Sequence, residues 1–189
     1  MAIVLASGSP RRLELLRMIG VADFRVIPDK SEEMLIPGLS PEQTVCGIAL
    51  SKANNVSLFC DNNDIIIAAD TLVYLDGRPI GKPGSPSDAM GMLKELSGRR
   101  HTVYTGIALV RNGAHSLAAE ATDVYFRKIS DSEIIAYVES GEPMDKAGAY
   151  AAQGRGAIFV ERVEGDFFNV MGLPLCRLVM MLKEFGVVI

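Results

Sequence analysis

The chain has 189 residues, a formal net charge of −4, and 49% apolar and 22% charged residues. This is the length of one domain with an ordinary globular composition, which excludes a disordered chain. The net negative charge argues against a dedicated duplex-DNA binder, because such proteins carry a basic surface. A role with phosphates must therefore depend on local clusters of basic side chains.

The cysteine pattern argues against both a zinc site and a disulfide framework. Cys46, Cys60 and Cys176 form no CxxC motif, and His101 and His115 are the only histidines. We therefore expect a reducing, cytoplasmic location. The N-terminal arginines follow the first apolar run, whereas a secretory signal places them before it, and no apolar run approaches the roughly 20 residues that cross a bilayer. We expect neither a membrane association nor a stable nucleic-acid partner.

The first half of the chain alternates predicted strands and helices. Residues 2–6 predict a buried strand, and Ser9 and Pro10 then begin a helix as its N-cap and first residue. A short strand at 24–27 and an acidic loop at 30–39 follow. The capping-box spacing from Ser40 predicts the next helix. Residues 64–69 predict a second buried strand, with Asp70 and Thr71 at its C-terminal end.

The second half predicts two hairpins separated and followed by helices. The first spans 72–80 around Asp76-Gly77, and the second joins strands 100–110 and 114–127 at Asn112-Gly113. Helices are predicted at 85–97, 130–141 and 174–185, and further strands at 157–163 and 167–171. Between them lies a glycine-rich loop at 141–156, whose length is typical of functional loops. The predicted fold class is α/β, with parallel strands early and antiparallel strands later.

The segment ASGSPRR at 6–12 is a candidate anion site. A strand enters a turn of small residues that begins a helix, where free N–H groups and the helix dipole favour an anion. Arg11 and Arg12 lie in the first helical turn, where the dipole disfavours cations unless an anion binds between them. A solvated basic helix start is the alternative, and the spacing alone leaves both open. The Walker A and GxGxxG patterns are absent.

Lys52 and Asp70 are two further candidate functional residues. Lys52 falls on the predicted buried face of the helix that begins after Ser40. A lysine there either extends its ammonium to solvent, which is the simpler interpretation, or meets a negative charge. Asp70 follows a buried strand, where ligands bind in α/β sheets. Its carboxylate could activate water, hold a divalent cation or cap a turn.

Three polar side chains in predicted loops could complete a phosphate site. Lys82 follows the first hairpin, and Lys146 and Gln153 lie in the glycine-rich loop. Each alone is more often an ordinary loop residue. Together with the arginines, Lys52 and the nearby carboxylates, they suit a triphosphate with a bound metal.

Six sequence blocks, in order along nearly the whole chain, identify a family. They are LASGSPRR (5–12), AADT (68–71), GKP (81–83), LSGRRHTVYTG (96–106), GEPMDKAGAYAAQG (141–154) and NVMGLPL (169–175). Together they resemble the Maf-type nucleoside triphosphate pyrophosphatases. The resemblance implies a single Maf-type, ITPase-like domain over residues 1–189, built from an elongated mixed β-sheet flanked by helices. It also implies a central cleft, around which the domain could form two lobes.

The resemblance also implies an activity. The family cleaves the bond between the α- and β-phosphates of nucleoside triphosphates, releasing a monophosphate and pyrophosphate. It uses a divalent metal cation, Mg or Mn. The aspartate of the AADT block, here Asp70, is the family's proton acceptor. Members are cytoplasmic, often homodimeric, and linked to arrest of septum formation.

Substrate choice and residue roles follow from the same resemblance. Arg12, Thr71 and Gln153 match the branch that acts on dTTP and UTP, and on modified uridine triphosphates, rather than on CTP and methylated GTP. The expected residues are catalytic Asp70, Lys52, Lys82 and Glu33, metal-binding Asp70 and Glu33, and substrate-binding Ser7, Ser9, Arg11, Arg12, Thr71, Lys146 and Gln153. Two alternatives stay open: a nucleotidyl- or phosphoryl-transferase, and a nucleotide-binding regulator of cell division with little turnover.

Overall fold

The computed structural model describes residues 1–31 and 36–189 and confirms the predicted α/β class. In this part of the chain, seven strands form one mixed sheet in the order β2-β1-β3-β5-β6-β7, with β4 paired to β3. The strands are β1 (Ile3–Leu5), β2 (Phe24–Val26), β3 (Ile65–Leu75), β4 (Arg78–Ile80), β5 (Arg100–Arg111), β6 (Ala114–Phe126) and β7 (Val160–Glu164).

Helices flank the sheet. They are α1 (Pro10–Met18), α2 (Pro41–Ser57), α3 (Pro86–Leu96), α4 (Asp131–Glu139), α5 (Phe167–Val170) and α6 (Leu175–Glu184). The capping box expected at the start of α2 is formed by Ser40 with Gln43, and a second one, of Ser130 with Glu133, begins α4. Within the described residues, no helix has both the length and the apolar character needed to span a membrane.

The chain forms two compact units. The first contains residues 1–70, 105–120 and 172–189, and the second contains 71–104 and 121–171. Strands β3, β5 and β6 each contribute residues to both units. In the first unit, β1 pairs in parallel with both β2 and β3, and Leu5 lies opposite Ile67. This parallel arrangement brings the C-terminal end of β1 beside the segment of β3 that leads to Asp70.

Small side chains form the contact between α2 and the sheet in the first unit. Ala49 and Ala53 of α2 are fully buried and belong to one core cluster with Ala68 of β3 and Ala108 of β5. Gly106 of β5 allows the closest approach, because a Cβ atom there would lie 2.4 Å from the carbonyl carbon of Val45. The backbone of α2 therefore lies directly against β5.

The second unit has a larger, more aromatic core. Phe159, Tyr137 and Phe126 pack with aliphatic residues of α3, α4 and the sheet. Phe159 and Tyr137 meet edge-to-face with ring centroids 5.1 Å apart. Both predicted hairpin turns are confirmed, since their central residues have the positive φ angles of a type I′ turn: 51° and 75° at Asp76-Gly77, and 50° and 76° at Asn112-Gly113.

The predicted end of the second buried strand is wrong. Strand β3 does not stop at Ala69 but runs on to Leu75, so Asp70 and Thr71 lie inside it. Its pairing with β1 reaches Ile67 and its pairing with β4 begins at Val73, and β5 is hydrogen-bonded along its other edge. Asp70 thus lies just beyond the parallel pairing, within a continuous strand.

The strand predicted at 167–171 is also wrong, because these residues form α5. The Asp166 side chain accepts a hydrogen bond from the Phe168 N–H at 2.8 Å and so caps the turn. Asn169 is fully buried, and its amide donates to the Val103 carbonyl and the Thr122 hydroxyl, both at 2.9 Å. The glycine-rich loop contains 3-10 turns at Glu142–Asp145, Ala147–Ala149 and Arg155–Phe159, so β7 begins only at Val160.

Candidate active site

The start of α1 has the features of an anion site. Ser7 is buried, and its hydroxyl accepts hydrogen bonds from the Ser9 N–H at 3.3 Å and from Arg12 Nη1 at 3.2 Å. Ser9 is the N-cap of α1, but its side chain makes no capping hydrogen bond. The first N–H groups of a helix lack intrahelical acceptors, so this turn offers donors to an anion.

Hydrogen bonds of the Arg12 guanidinium connect α1 to two other segments of the first unit. Besides its bond to Ser7, its Nε donates to the Gly172 carbonyl at 2.8 Å. This bond joins α1 to the NVMGLPL segment within the first unit. The acceptor is a backbone carbonyl, which has no side-chain signature, so sequence reasoning missed it. Arg11 is half-buried beside it.

The simpler interpretation of Lys52, that it extends to solvent, is wrong. Its Nζ lies 2.7 Å from Oδ1 of Asp70, and the two side chains are 14% and 5% exposed. Side chains alternate along a strand, so Asp70 shares a face of β3 with Ile66 and Ala68. Those two residues belong to the core cluster under α2, which explains why Lys52 on α2 reaches the carboxylate.

The second carboxylate oxygen of Asp70 is buried and has no hydrogen-bonding partner in the part of the chain that the structure describes. An acceptor in this state suits either a divalent cation or a water molecule. The described residues contain no group of three or more His, Cys, Asp or Glu side chains that could hold a metal. A cation here would therefore need ligands beyond those residues. Glu33, the other expected ligand, lies outside them.

The two sequence-predicted sites in the first unit lie at one edge of the sheet. The Ala6 N–H donates to the Ile67 carbonyl at 2.8 Å. Ser7 follows directly after Ala6, and Asp70 lies three residues after Ile67. The structure therefore brings the turn before α1 and the Lys52–Asp70 pair to the same edge of the parallel strands, which is where α/β proteins bind ligands.

Thr71 belongs to the second unit and faces the opposite way from Asp70, because successive side chains of a strand alternate. Val73 shares its face and contacts Gly148, where a Cβ would lie 3.1 Å from a Val73 methyl. The Gly148 N–H donates to the Gly81 carbonyl at 3.0 Å. The structure thus joins the GKP block to the glycine-rich loop.

The remaining predicted residues differ in their surroundings. Lys146 is mostly buried, with a side chain 12% exposed, and forms an ion pair with Asp145. Lys82 and Gln153 are exposed. The Gly81–Gly148 hydrogen bond joins the backbone just before Lys82 to the backbone two residues after Lys146. Gln153 lies further along the same loop as Lys146.

His101 is a buried, structural residue. It is 2% exposed, and its Nε2 lies 2.8 Å from the Tyr150 hydroxyl. Burial lowers the pKa of His101 to about 4, although Asp123 opposes the shift. Burial also raises the pKa of Tyr150 above its ordinary value. Both groups are therefore neutral at physiological pH, and neither is poised for proton transfer.

Known proteins resemble this chain in sequence and in structure. The model of the Maf-like protein family matches residues 2–185. Relatives named dTTP/UTP pyrophosphatase include one from Caldicellulosiruptor saccharolyticus, which is 43% identical over 97% of this chain and 94% of its own length. Another, from Methanosarcina mazei, is 46% identical over 98% of this chain and 94% of its own length. A third, from Bacillus cereus, is 45% identical over 98% of this chain and 96% of its own length.

The structural likeness concerns the fold. A HAM1 protein from Coxiella burnetii superimposes with a TM-score of 0.53 and 19% identity, covering 97% of this chain and 99% of that protein. A Ham1 protein from Staphylococcus aureus superimposes with a TM-score of 0.50 and 16% sequence identity, covering 99% of this chain and 100% of that protein. These likenesses confirm the expected α/β arrangement. The family match over nearly all residues, together with the sequence identity, shows that this chain belongs to the Maf family.

Proposed function

We propose that this protein hydrolyses dTTP and UTP, and modified uridine triphosphates, to the monophosphate and pyrophosphate. One structural observation carries the chemistry: a buried carboxylate, Asp70, has one oxygen held by Lys52 and the other without a partner in the described residues. The substrate is supported by relatives 43–46% identical over nearly the whole chain that are named dTTP/UTP pyrophosphatases.

In this proposal the cations and amides hold the triphosphate. The N–H groups at the start of α1, with Ser7, Ser9 and Arg11, bind phosphate oxygens. Lys82 is a further cation that we propose for the catalysis. The hydrogen bonds of Arg12 to Ser7 and Gly172 fix the turn that presents these donors. Positioning and charge neutralisation carry most of the catalysis in phosphoryl transfer.

Asp70 acts as the general base on the attacking water. The free carboxylate oxygen accepts a proton from water as the water oxygen forms a bond to the α-phosphorus. The bond from that phosphorus to the bridging oxygen breaks, and pyrophosphate leaves with the electron pair. Lys52 holds the other carboxylate oxygen at 2.7 Å and so fixes the orientation of the base.

Asp70 and Glu33 are the residues that we propose for a divalent cation, Mg or Mn. A carboxylate oxygen carries two lone pairs, so the unpartnered oxygen of Asp70 can serve a hard cation as well as the attacking water. Carboxylates with substrate phosphates are typical magnesium ligands. When bound, such a cation neutralises charge on the phosphates and the leaving pyrophosphate.

We assign recognition of the base to Gln153. Thr71 and Lys146 are further residues that we propose for substrate binding. A uracil-type edge offers an N3–H donor beside carbonyl acceptors, and a glutamine amide can accept from the first and donate to the second. Cytosine reverses this pattern, so we expect discrimination against CTP of roughly 10⁴-fold. The extra methyl of thymine changes the binding energy by only about 1–3 kcal/mol.

A panel of dTTP, UTP, CTP and methylated GTP, each with Mg or Mn, tests the proposal by analysis of the phosphate products. We expect pyrophosphate and monophosphate from dTTP and UTP and little from CTP. Binding of UTP without turnover would support a regulator of septum formation instead. Transfer of a nucleotidyl or phosphoryl group to an acceptor would support a transferase. Sedimentation of the purified protein tests the expected homodimer, and fractionation of cells tests the cytoplasmic location.

A further inference from the structure

The carboxylate of Glu142 binds the backbone of the loop that carries Gln153. Its Oε2 accepts from the Arg155 N–H at 3.1 Å. Its Oε1 accepts from the Gly156 N–H at 3.2 Å and from the Tyr137 hydroxyl at 2.9 Å. A single side chain, in the 3-10 turn that follows α4, therefore holds two consecutive amides that follow Gln153.

A second side chain, Tyr137, holds the backbone on the other side of Gln153, and we call Glu142 and Tyr137 together the clamp. The Tyr137 hydroxyl accepts a hydrogen bond from the Ala151 N–H at 3.1 Å while donating to Glu142. The two side chains thus bind the backbone at 151, 155 and 156. Tyr137 is 4% exposed and packs against Phe159, so the clamp is anchored in the core of the second unit.

Two glycines permit this close approach. A Cβ on Gly154 would lie 2.6 Å from Oε1 of Glu142, and one on Gly156 would lie 2.7 Å from the Tyr137 hydroxyl. Both distances are shorter than real Cβ contacts. The glycines of the loop are therefore matched to the two clamp side chains.

The clamp is charged at neutral pH. Burial raises the pKa of Glu142, but the hydrogen bonds from the Arg155 N–H, the Tyr137 hydroxyl and the Gly156 N–H, with the charge of Lys146, outweigh burial and lower its pKa overall. An ionised carboxylate accepts stronger hydrogen bonds from amides than a neutral group does.

We propose that Glu142, held by Tyr137, is a positioning residue that fixes Gln153 for recognition of the base. This inference rests on the proposed function, because Gln153 is exposed and reads the base only if the substrate is a nucleotide. Glu142 itself need not touch the substrate. Together with Tyr137, it sets base preference by holding the backbone on both sides of Gln153, whose side chain contacts the base.

Glu133 provides a matched control. This glutamate of α4 likewise accepts hydrogen bonds from protein donors: the Ser130 N–H at 2.9 Å and Arg127 Nη2 at 2.6 Å. Its contacts cap the helix and do not involve residues 151–156. A role confined to stability would give the same results for Glu133→Gln and Glu142→Gln.

The test compares Glu142→Gln, Tyr137→Phe and Glu133→Gln by kcat and KM for UTP, dTTP and CTP. Glu142→Gln retains the size of the side chain but turns an amide toward one of the N–H donors. We expect the ratio of kcat/KM for UTP to that for CTP to fall by roughly tenfold to 10²-fold, mainly through KM for UTP. Tyr137→Phe should lower the same ratio, and Glu133→Gln should leave it at the wild-type value.

Amide hydrogen exchange separates this inference from the proposed function. We expect faster exchange at 151, 155 and 156 in Glu142→Gln, and wild-type exchange there in Glu133→Gln. Unchanged exchange, or an unchanged UTP/CTP ratio in both clamp variants, overturns the inference. A wild-type protein that does not hydrolyse UTP overturns the proposed function instead. If Glu142→Gln does not fold, Tyr137→Phe decides by the same two measurements.

Discussion

Lys52 and Asp70 form an ion pair of 2.7 Å in which both side chains are largely excluded from solvent. The pair joins α2 to β3, and only one of the two carboxylate oxygens is used by it. We propose a structural role for the pair and a chemical role for the free acceptor, and variants of each partner test the two roles separately.

Asp70→Asn removes the proton acceptor while keeping the size of the side chain. We expect kcat for dTTP to fall by roughly 10²- to 10⁴-fold, the usual contribution of a general base. Asp131→Asn, at an exposed ion pair, is the control and should keep full activity. Circular dichroism checks the fold of both. Turnover of dTTP by Asp70→Asn at the wild-type rate would contradict the assignment.

Lys52→Met leaves the buried Asp70 carboxylate without this cation. We expect a loss of about 3–5 kcal/mol in the free energy of unfolding, because an unpaired buried charge is costly. Lys94→Met breaks an exposed pair with Asp131 and should cost at most about 1 kcal/mol. Urea denaturation measures both values. Equal losses would show that burial adds nothing to the Lys52–Asp70 interaction.

Gly106→Ala places a methyl group against the backbone of α2. Because the new Cβ would lie 2.4 Å from the Val45 carbonyl, helix and strand must separate, and we expect a loss of about 3 kcal/mol or more. Gly47→Ala, in α2 itself, meets no described atom within 4 Å and should stabilise the protein by about 0.5–1 kcal/mol. A thermal midpoint of Gly106→Ala at or above the wild-type value would contradict the packing.

The pKa of His101, lowered to about 4, makes stability depend on pH. Between its ordinary value of 6.5 and about 4, the unfolded chain binds the proton and the folded chain does not. Protonation therefore favours unfolding, and stability falls as the pH drops through this window, by at most about 3 kcal/mol from this residue. Urea denaturation of His101→Asn should show a flatter pH profile from pH 6.5 to 4. His115→Asn, at an exposed position, should show the wild-type profile.

The elements with strong local signals were predictable. The capping boxes at Ser40 and Ser130 and the Asn112-Gly113 turn are determined by hydrogen bonds and φ angles within a few residues, and all are present. The full length of β3 was not, because Asp70 and Thr71 are polar and interrupt the apolar run. The strand continues past both, with β5 hydrogen-bonded along one edge and β4 paired from Val73 onward.

The candidate site was predictable in its residue types and less so in its contacts. A lysine on the buried face of α2 signalled an unusual environment, but only tertiary packing shows that its partner is Asp70. The Arg12–Gly172 bond and the Glu142 clamp use backbone donors and acceptors, which every residue carries. Such contacts leave no pattern in the sequence.

The alanine contact between α2 and the sheet limits which substitutions the protein can tolerate. Ala49, Ala53, Ala68 and Ala108 have no rotamers that could rearrange around a larger neighbour. We expect a larger side chain at any of these positions to displace the helix that carries Lys52. Such a substitution would therefore disturb the Lys52–Asp70 ion pair without contacting either residue. Mutational scans should therefore find this layer nearly as intolerant as the charged residues themselves, for reasons of volume alone.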